Sequence, residues 1–209
     1  MTTPTAPAPR TLLFIGDSIT DAGRREDPEE LGHGYVRLLA EHFAAHEPTA
    51  TVINRGIGGN KASHLVERFD ADCLEHRPDL VTLYVGVNDS WHRFTRGEHV
   101  LDEDFERDHR HLLDQLAATV PEAPVVVIVP FVADIDELTT TIHSDLDGKV
   151  AIIRALAEER GLALVDLEEV LATALAAGHT TASIAADGVH PTPPGHRLIA
   201  DAWLDAVGR

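Results

Sequence analysis

Short, almost continuously apolar segments alternate along this chain with longer amphipathic segments. A strand that is covered on both faces is apolar at nearly every position, whereas a strand with one wet face alternates apolar and polar residues. Repeats of such a strand followed by a helix predict an α/β fold, a three-layer α/β/α sandwich around a five-stranded, mainly parallel sheet. The predicted strands are residues 11–15, 50–54, 80–85, 125–129 and 162–166.

The amphipathic segments carry apolar residues at helical spacing. No internal repeat and no long linker divides the chain, so a single domain is predicted over residues 11–209. Residues 1–10 are rich in Pro, Ala and Thr and lack the features of a signal peptide, which predicts a disordered lead-in. The predicted helices are residues 34–46, 63–76, 103–120, 144–160, 167–177 and 194–207.

Charge and cysteine content limit the partners and the compartment. Asp and Glu number 35 against 17 Lys and Arg, a formal charge of −18 that repels polyanions and argues against nucleic acid and anionic membranes as partners. No apolar run approaches the roughly 18 to 20 residues of a membrane span. The single cysteine, Cys73, excludes an intramolecular disulfide, and with the expected lack of a signal peptide it favours a cytoplasmic location.

Polar residues that could do chemistry follow several of the predicted strands. Ser18 comes after the first strand, Gly56 after the second and Asn88 after the third, while Asp187 and His190 precede the last helix. The carboxyl ends of parallel strands meet at one edge of the sheet, where open α/β folds have their sites, so these segments are expected to converge. We predict that four long connections border a cleft at this edge of the sheet: residues 17–33, 88–102, 130–143 and 178–190.

Ser18, Asp187 and His190 are the ingredients of a nucleophilic hydrolase. A serine hydroxyl is a weak nucleophile at neutral pH, so it needs a base, and that base needs an orienting partner. The spacing between Asp187 and His190 lets both side chains project from one turn. Each motif alone is more typical of a turn or a helix cap, but their joint occurrence favours catalysis.

These ordered motifs resemble those of the SGNH (GDSL) hydrolase family. The Ser, Gly, Asn and His that name the family match Ser18, Gly56, Asn88 and His190, and the similarity extends from about residue 12 to residue 203. The resemblance implies the flavodoxin-like SGNH hydrolase fold and a mechanism without a metal or an organic cofactor. The segments most similar to intracellular carbohydrate acetylesterases, including acetylxylan esterases, are residues 14–24, 31–36, 86–91 and 187–196.

The family roles, carried over to these positions, are those of a serine esterase. Ser18 would attack the ester carbonyl, His190 would accept the proton and return it to the leaving alcohol, and Asp187 would orient the imidazole. The oxyanion would be met by the backbone N–H groups of Ser18 and Gly56 and by the side-chain amide of Asn88.

Four further residues are predicted to bind substrate. Trp91 follows Asn88 closely, Tyr35 lies in the segment after the nucleophile, and Arg55 precedes the glycine of the second motif. An ordinary packing role is an equal alternative for Trp91, and Arg55 could simply anchor its loop. For Asp17 the alternative is that its carboxylate bonds local backbone and fixes the turn before the nucleophile.

The predicted substrate is a short-chain ester of a carbohydrate. A long acyl chain would need an extended apolar groove, whereas the segment after the nucleophile is strongly charged and no apolar insertion suggests a lid. The expected reaction is removal of acetyl groups from O-acetylated carbohydrates such as xylo-oligosaccharides. The alternatives are a lysophospholipase or acyl-thioesterase of the same superfamily and a non-catalytic carbohydrate-binding protein. Because related esterases often self-associate, the resemblance favours a homo-oligomer.

Two other interpretations of the sequence are weaker. The run Gly56-Ile57-Gly58-Gly59 follows a strand, but the dinucleotide fingerprint needs a glycine where Lys61 stands. The helical pair His42 and His46 lacks an evident third ligand, so no metal site is predicted.

Overall fold

A computed structural model describes residues 10–209 of the chain. Of the predicted lead-in, residues 1–9 therefore lie outside the described residues, and the division into a lead-in and one domain stays a prediction. The five described strands are β1 (Thr11–Gly16), β2 (Thr51–Gly56), β3 (Leu80–Tyr84), β4 (Val125–Val129) and β5 (Ala163–Asp166).

These strands form one sheet in the order β2-β1-β3-β4-β5, and every neighbouring pair is parallel. The predicted α/β sandwich is thereby confirmed. Gly16 is paired with both Gly56 and Tyr84, so the carboxyl ends of β1, β2 and β3 lie side by side. The chain passes from β1 outward to β2 and then to β3 on the other side of β1. Such a reversal opens a crevice at the carboxyl ends of the strands, where ligands bind in folds of this class.

Helices cover both faces of the sheet, and no helix in the described part of the chain is long and apolar enough to cross a membrane. Two single turns of 3₁₀ helix, Arg24–Glu26 and Leu74–His76, add to the α-helices. The α-helices are α1 (Ser18–Asp21), α2 (Tyr35–His46), α3 (Ala62–Asp72), α4 (Val87–Arg96), α5 (Asp102–Thr119), α6 (Glu137–Arg160), α7 (Leu167–Ala176), α8 (Thr181–Ile184) and α9 (Pro193–Ala206).

The alternation of side chains along β1 divides the core into two layers. Leu13 and Ile15 pack with α3, α5 and α6, whereas Leu12 and Phe14 pack with α2, α7 and α9. The fully buried Trp203 on α9 closes the second layer, and its indole N–H donates to the hydroxyl of a β3 threonine at 2.9 Å. Helices on both faces explain why β1, β3 and β4 are apolar at nearly every position.

The structure corrects all four predicted connections, and the first of them, residues 17–33, contains α1 and the 3₁₀ turn Arg24–Glu26. The segment 88–102 contains most of α4, and the segment 178–190 contains α8. Helix α6 begins at Glu137 rather than at residue 144, because Asp136 caps it by accepting a hydrogen bond from the N–H of Thr139 at 2.8 Å. The predicted cleft is therefore bordered by helices as well as by loops.

Candidate active site

Ser18 lies where β1 joins a short helix. β1 ends at Gly16, Asp17 caps α1, and Ser18 is the first residue of that helix. The Asp17 side chain accepts a hydrogen bond from the N–H of Ile19 at 3.0 Å, which fixes the turn. A Cβ at position 16 would lie 2.2 Å from the carbonyl oxygen of Tyr84, so only glycine fits there. This tight join sets the position of the serine hydroxyl.

Ser18, His190 and Asp187 form a continuous chain of polar contacts. Ser18 Oγ is 3.1 Å from His190 Nε2, and His190 Nδ1 is 2.7 Å from Asp187 Oδ2. Asp187 Oδ1 accepts hydrogen bonds from the backbone N–H groups of Val189 and His190. Burial acts to raise the pKa of Asp187, but the hydrogen bonds from His190 and from the backbone outweigh it and hold that pKa below its ordinary value. The carboxylate is therefore ionised and faces the imidazole.

The turn that carries Asp187 and His190 is braced by the connection after β4. Gly188 has a φ of +84°, and a Cβ there would lie 2.7 Å from the carbonyl oxygen of Ala133. The N–H of Ala133 in turn donates to the carbonyl oxygen of Gly188 at 2.7 Å. Glycine is therefore needed both for the backbone angle and for this close approach.

The structure thus joins the three residues predicted as a triad, although Ser18 and His190 are 172 positions apart. A hydroxyl that contacts an imidazole can give up its proton as it bonds to an electrophilic carbon. The His190 side chain is 55% exposed, so the chain of contacts lies at an open surface. Two clefts of about 650 and 640 Å³ lie elsewhere on the described surface, and neither is lined by Ser18 or His190.

Gly56 does not have the geometry of the predicted oxyanion donor. Its N–H already donates to the side-chain oxygen of Asn54 at 2.8 Å, and the residue is buried. A Cβ at position 56 would lie 2.1 Å from the backbone nitrogen of Asp21. The structure therefore corrects the prediction: Gly56 is required for the packing of β2 against α1, and its N–H is not free.

The next turn of the chain offers a free donor that the sequence analysis missed. Residues 57–60 form a turn closed by a hydrogen bond from the N–H of Asn60 to the carbonyl of Ile57 at 3.2 Å. The N–H of Gly58 donates to Asp21 Oδ2, whereas that of Gly59 donates to no atom of residues 10–209. A Cβ at position 58 would lie 3.8 Å from the Cβ of the nucleophile candidate, so this turn adjoins it. The available signal was the adjacent pair Gly58-Gly59 in the motif, and Gly59 has a φ of +80°.

Asn88 lies against the same turn. It is the second residue of α4, is 7% exposed, and donates one amide hydrogen to the carbonyl oxygen of Asn60 at 3.1 Å. An asparagine amide carries two hydrogens, so the second remains available to a substrate. The neighbouring Asp89 accepts the N–H of Ala62 and thereby anchors α4 to α3. Asn88 is held beside the residue 57–60 turn as an oxyanion donor requires.

Two of the predicted substrate-binding residues are buried and cannot touch substrate. Tyr35 is fully buried, and its hydroxyl is 3.0 Å from Thr20 Oγ1 inside the core. Asp17 is also fully buried, and it caps the helix that begins at Ser18, which was the alternative for this residue. Burial raises the pKa of Asp17 to about 7, against the lowering by the N–H of Ile19 and by the charge of His190.

The other two predicted substrate-binding residues have partners of their own. The guanidinium of Arg55 donates to His76 Nε2 at 3.3 Å and forms long ion pairs with Asp72 and Glu30. Trp91 is half-buried and packs against the core layer that contains α3, α5 and α6. These contacts support the anchoring and packing alternatives, and substrate binding by either side chain stays a prediction.

The described residues contain one group of possible metal ligands. His143, Asp147 and Glu168 offer atoms that lie within 4.8 Å of one another, and His143 Nδ1 is 3.0 Å from Asp134 Oδ1. Burial acts to lower the pKa of His143, but the surrounding carboxylates outweigh this effect and raise that pKa. The carboxylates therefore favour the protonated form of the imidazole. The group lies outside the contact chain of Ser18, and the absence of a metal from the reaction stays a prediction.

Comparison with known proteins identifies the family. The model of the GDSL-like lipase/acylhydrolase family matches residues 14–198. This chain belongs to that family. The predicted resemblance is thereby confirmed, and the chain is an SGNH-type carboxylic ester hydrolase.

Proteins similar to this chain include acetylxylan esterases. An acetylxylan esterase of Geobacillus stearothermophilus is 32% identical over 212 residues, which span 94% of this chain and 93% of that protein. The crystal structure of Axe2, an acetylxylan esterase of the same organism, has a TM-score of 0.86 at 30% identity and covers 97% of this chain and 95% of its own. LAE5, an alpha/beta hydrolase enzyme from the metagenome of Lake Arreo in Spain, has a TM-score of 0.85 at 31% identity, with 96% of each chain covered.

Proposed function

We propose that this esterase removes acetyl groups from O-acetylated carbohydrates such as xylo-oligosaccharides, through an acyl-enzyme intermediate on Ser18. The observation that carries the proposal is the contact chain from Ser18 Oγ through the imidazole of His190 to Asp187. In this proposal the three residues act as nucleophile, general base and orienting carboxylate.

In the first half of the reaction, Ser18 Oγ bonds to the acetyl carbon while His190 Nε2 takes the hydroxyl proton. The carbonyl electrons move onto the oxygen, and the bond to the sugar oxygen then breaks. His190 returns the proton to that leaving oxygen, so a free sugar hydroxyl departs and acetyl stays on the serine. The short contact between His190 Nδ1 and Asp187 Oδ2 supports this step because it leaves Nε2 as the acceptor.

The negative oxygen formed in this step needs hydrogen-bond donors that are already in place. We assign this role to the backbone N–H groups of Ser18 and Gly59 and to the free amide hydrogen of Asn88. The N–H of the first residue of a helix has no acceptor within that helix, which makes Ser18 suitable. Donors fixed in advance cost no reorganisation as the charge develops.

In the second half, water takes the place of the sugar hydroxyl. His190 removes a proton from the water as its oxygen bonds to the acetyl carbon, and the ester bond to Ser18 breaks. The serine oxygen recovers the proton from His190, and acetate leaves. The open surface around His190 supports access of water and of a bulky sugar to the site.

Two observations support a short acyl group on a carbohydrate. The acetylxylan esterase of Geobacillus stearothermophilus resembles this chain over nearly the full length of both proteins. Neither of the two large described clefts is lined by Ser18 or His190, whereas a long acyl chain would need an apolar groove that begins at the nucleophile.

The test compares acetyl with octanoyl p-nitrophenyl esters and then measures acetate release from acetylated xylose and xylo-oligosaccharides. We expect faster cleavage of the acetyl ester and acetate release from the sugars. Ser18→Ala should abolish both activities. Ser144→Ala is the matched control because this exposed hydroxyl only donates to the carbonyl of Thr140 on α6.

Other outcomes would redirect the proposal. Faster cleavage of the octanoyl ester would contradict the short-acyl substrate and favour a lysophospholipase or thioesterase. Full activity in Ser18→Ala would contradict the nucleophile. Binding of acetylated sugars without any hydrolysis would favour the non-catalytic alternative.

A further inference from the structure

Arg68 on α3 is a largely buried cation beneath the carboxyl ends of β1 and β2, and its side chain is only 15% exposed. Its guanidinium donates hydrogen bonds to three separate segments. Nη2 donates to the carbonyl oxygen of Gly16 at 3.0 Å, Nη1 to that of Arg55 at 2.9 Å, and Nε to the side-chain oxygen of Asn60 at 2.8 Å. One planar group therefore joins the end of β1, the end of β2 and the turn that follows.

Each of these segments leads directly to the site. Gly16 is two residues before Ser18, and Asn60 directly follows Gly59. The carbonyl oxygen of Asn60 also accepts the amide hydrogen of Asn88 at 3.1 Å. Through its hydrogen bonds to Gly16 and Asn60, the guanidinium is thus connected to the segments that carry all three proposed oxyanion donors.

We propose that Arg68 is the positioning residue of the oxyanion hole, holding the turn of residues 57–60 at a fixed distance from the nucleophile and from Asn88. The inference rests on the proposed esterase function. Arg68 itself touches neither the reacting serine nor the imidazole, so its effect is on the placement of the donors. Because a misplacement of about 1 Å can cost about 10²-fold in rate, a group that fixes this distance affects turnover.

Arginine is suited to this role in a way that lysine is not. The acceptors lie in different directions, and a guanidinium presents several N–H donors in a fixed plane, whereas an ammonium is a single point. Asp72 accepts a hydrogen bond from Nη1 at 2.8 Å and holds the guanidinium group in place. Burial acts to lower the pKa of Arg68 and Asp72 opposes it, but an arginine stays charged over the working pH range.

The test is the steady-state kinetics of Arg68→Ala and Arg68→Lys on p-nitrophenyl acetate. We expect kcat to fall by about 10- to 100-fold in Arg68→Ala, with KM nearly unchanged, because the donors act on the transition state more than on bound substrate. The kcat of Arg68→Lys should lie between those of Arg68→Ala and the wild type. Added guanidinium ion should restore part of the kcat of Arg68→Ala. Affinity for a boronic acid, which forms a tetrahedral adduct on serine, should fall by the same factor as kcat.

Arg110→Ala is the matched control, since this arginine pairs only with Glu106 and Glu159 on the surface. Wild-type kcat in Arg68→Ala would overturn the inference, as would a rise in KM that accounts for the whole loss. If Arg68→Ala does not fold, wild-type kcat and boronic acid affinity in Arg68→Lys would overturn it. A wild-type protein without Ser18-dependent hydrolysis would overturn the proposed function and this inference together, whereas an Arg68 result alone leaves the proposed function intact.

Discussion

Asp187 and His190 face each other across one turn of the chain, with Asp187 Oδ2 2.7 Å from His190 Nδ1. The two oxygens of this carboxylate have different partners. Oδ1 accepts two backbone N–H groups and shapes the turn, whereas Oδ2 contacts the imidazole. A substitution that preserves the first oxygen and changes the second can therefore separate the folding of the turn from its chemistry.

Asp187→Asn is that substitution. The amide oxygen can still accept the backbone N–H groups, but its NH₂ group would face His190 Nδ1 and favour the tautomer that carries hydrogen on Nε2. That tautomer cannot accept the proton of Ser18, so we expect kcat to fall by about 10⁴-fold while the fold is retained. Steady-state kinetics and a thermal melt check this, and a loss below tenfold would contradict the role of Asp187.

Asn88→Ala should remove one oxyanion donor without changing the nucleophile. The expected loss is about 10²- to 10³-fold in kcat, because the amide acts where charge develops in the transition state. KM should change far less than kcat. An Asn88→Ala enzyme with wild-type turnover would show that the free amide hydrogen does not act on the substrate.

Gly56→Ala should affect the fold rather than the chemistry. Its Cβ would lie 2.1 Å from the backbone nitrogen of Asp21, so β2 and α1 would have to separate. Overpacking of this kind costs about 1–3 kcal/mol, which denaturant unfolding can measure. A stable Gly56→Ala protein with strongly reduced kcat would instead restore the original prediction that Gly56 is a donor.

Asp17 is expected to lower folding stability as the pH rises from about 4 to about 7. Burial raises its pKa from 3.8 to about 7, so in this window the unfolded chain has lost the proton that the folded chain retains. The unfolded state then binds fewer protons, and the free energy of unfolding falls with rising pH, by about 1.4 kcal/mol for each pKa unit. Asp17→Asn keeps an acceptor for the N–H of Ile19 and removes this titration.

Burial lowers the pKa of His109 and of His196 to about 4, which acts with the opposite sign over much of the same window. The measurement is therefore a difference: unfolding free energy of the wild type minus that of Asp17→Asn, across this pH range. The difference should decline up to about pH 7 and then level off. A constant difference would contradict the raised pKa of Asp17.

Tyr35→Phe tests the correction of a predicted substrate contact. The Tyr35 hydroxyl lies in the core beside Thr20, so its loss should reduce stability by about 1 kcal/mol and leave KM unchanged. Kinetics on acetylated xylose with a parallel melt distinguish the two roles. A several-fold rise in KM at unchanged stability would return Tyr35 to the substrate site.

The strands followed from local pattern, because a doubly covered strand needs apolar residues throughout, and the mainly parallel sheet followed from their alternation with helices. Helix α4 did not, since Asn88, Asp89 and Ser90 at its start are residues that favour turns and caps. What holds this helix is tertiary: Asp89 accepts the N–H of Ala62 on α3. The local sequence contains no sign of that distant partner.

The contact between Ser18 and His190 was predictable because each residue stands in a recognisable motif. The proposed backbone donor was not, because the choice depends on which N–H another side chain occupies. Asn54 takes the N–H of Gly56, and Asp21 takes that of Gly58, which leaves Gly59. The cytoplasmic location and the homo-oligomer stay predictions.

The contact between Ser18, after β1, and His190, before α9, has a consequence for biosynthesis. All residues up to His190 must leave the ribosome before its imidazole can reach Ser18, since the two are 172 positions apart. A nascent chain halted earlier presents Ser18 without the imidazole of His190. Hydrolysis therefore reports translation that has passed position 190, and shorter fragments should be inert towards esters inside the cell.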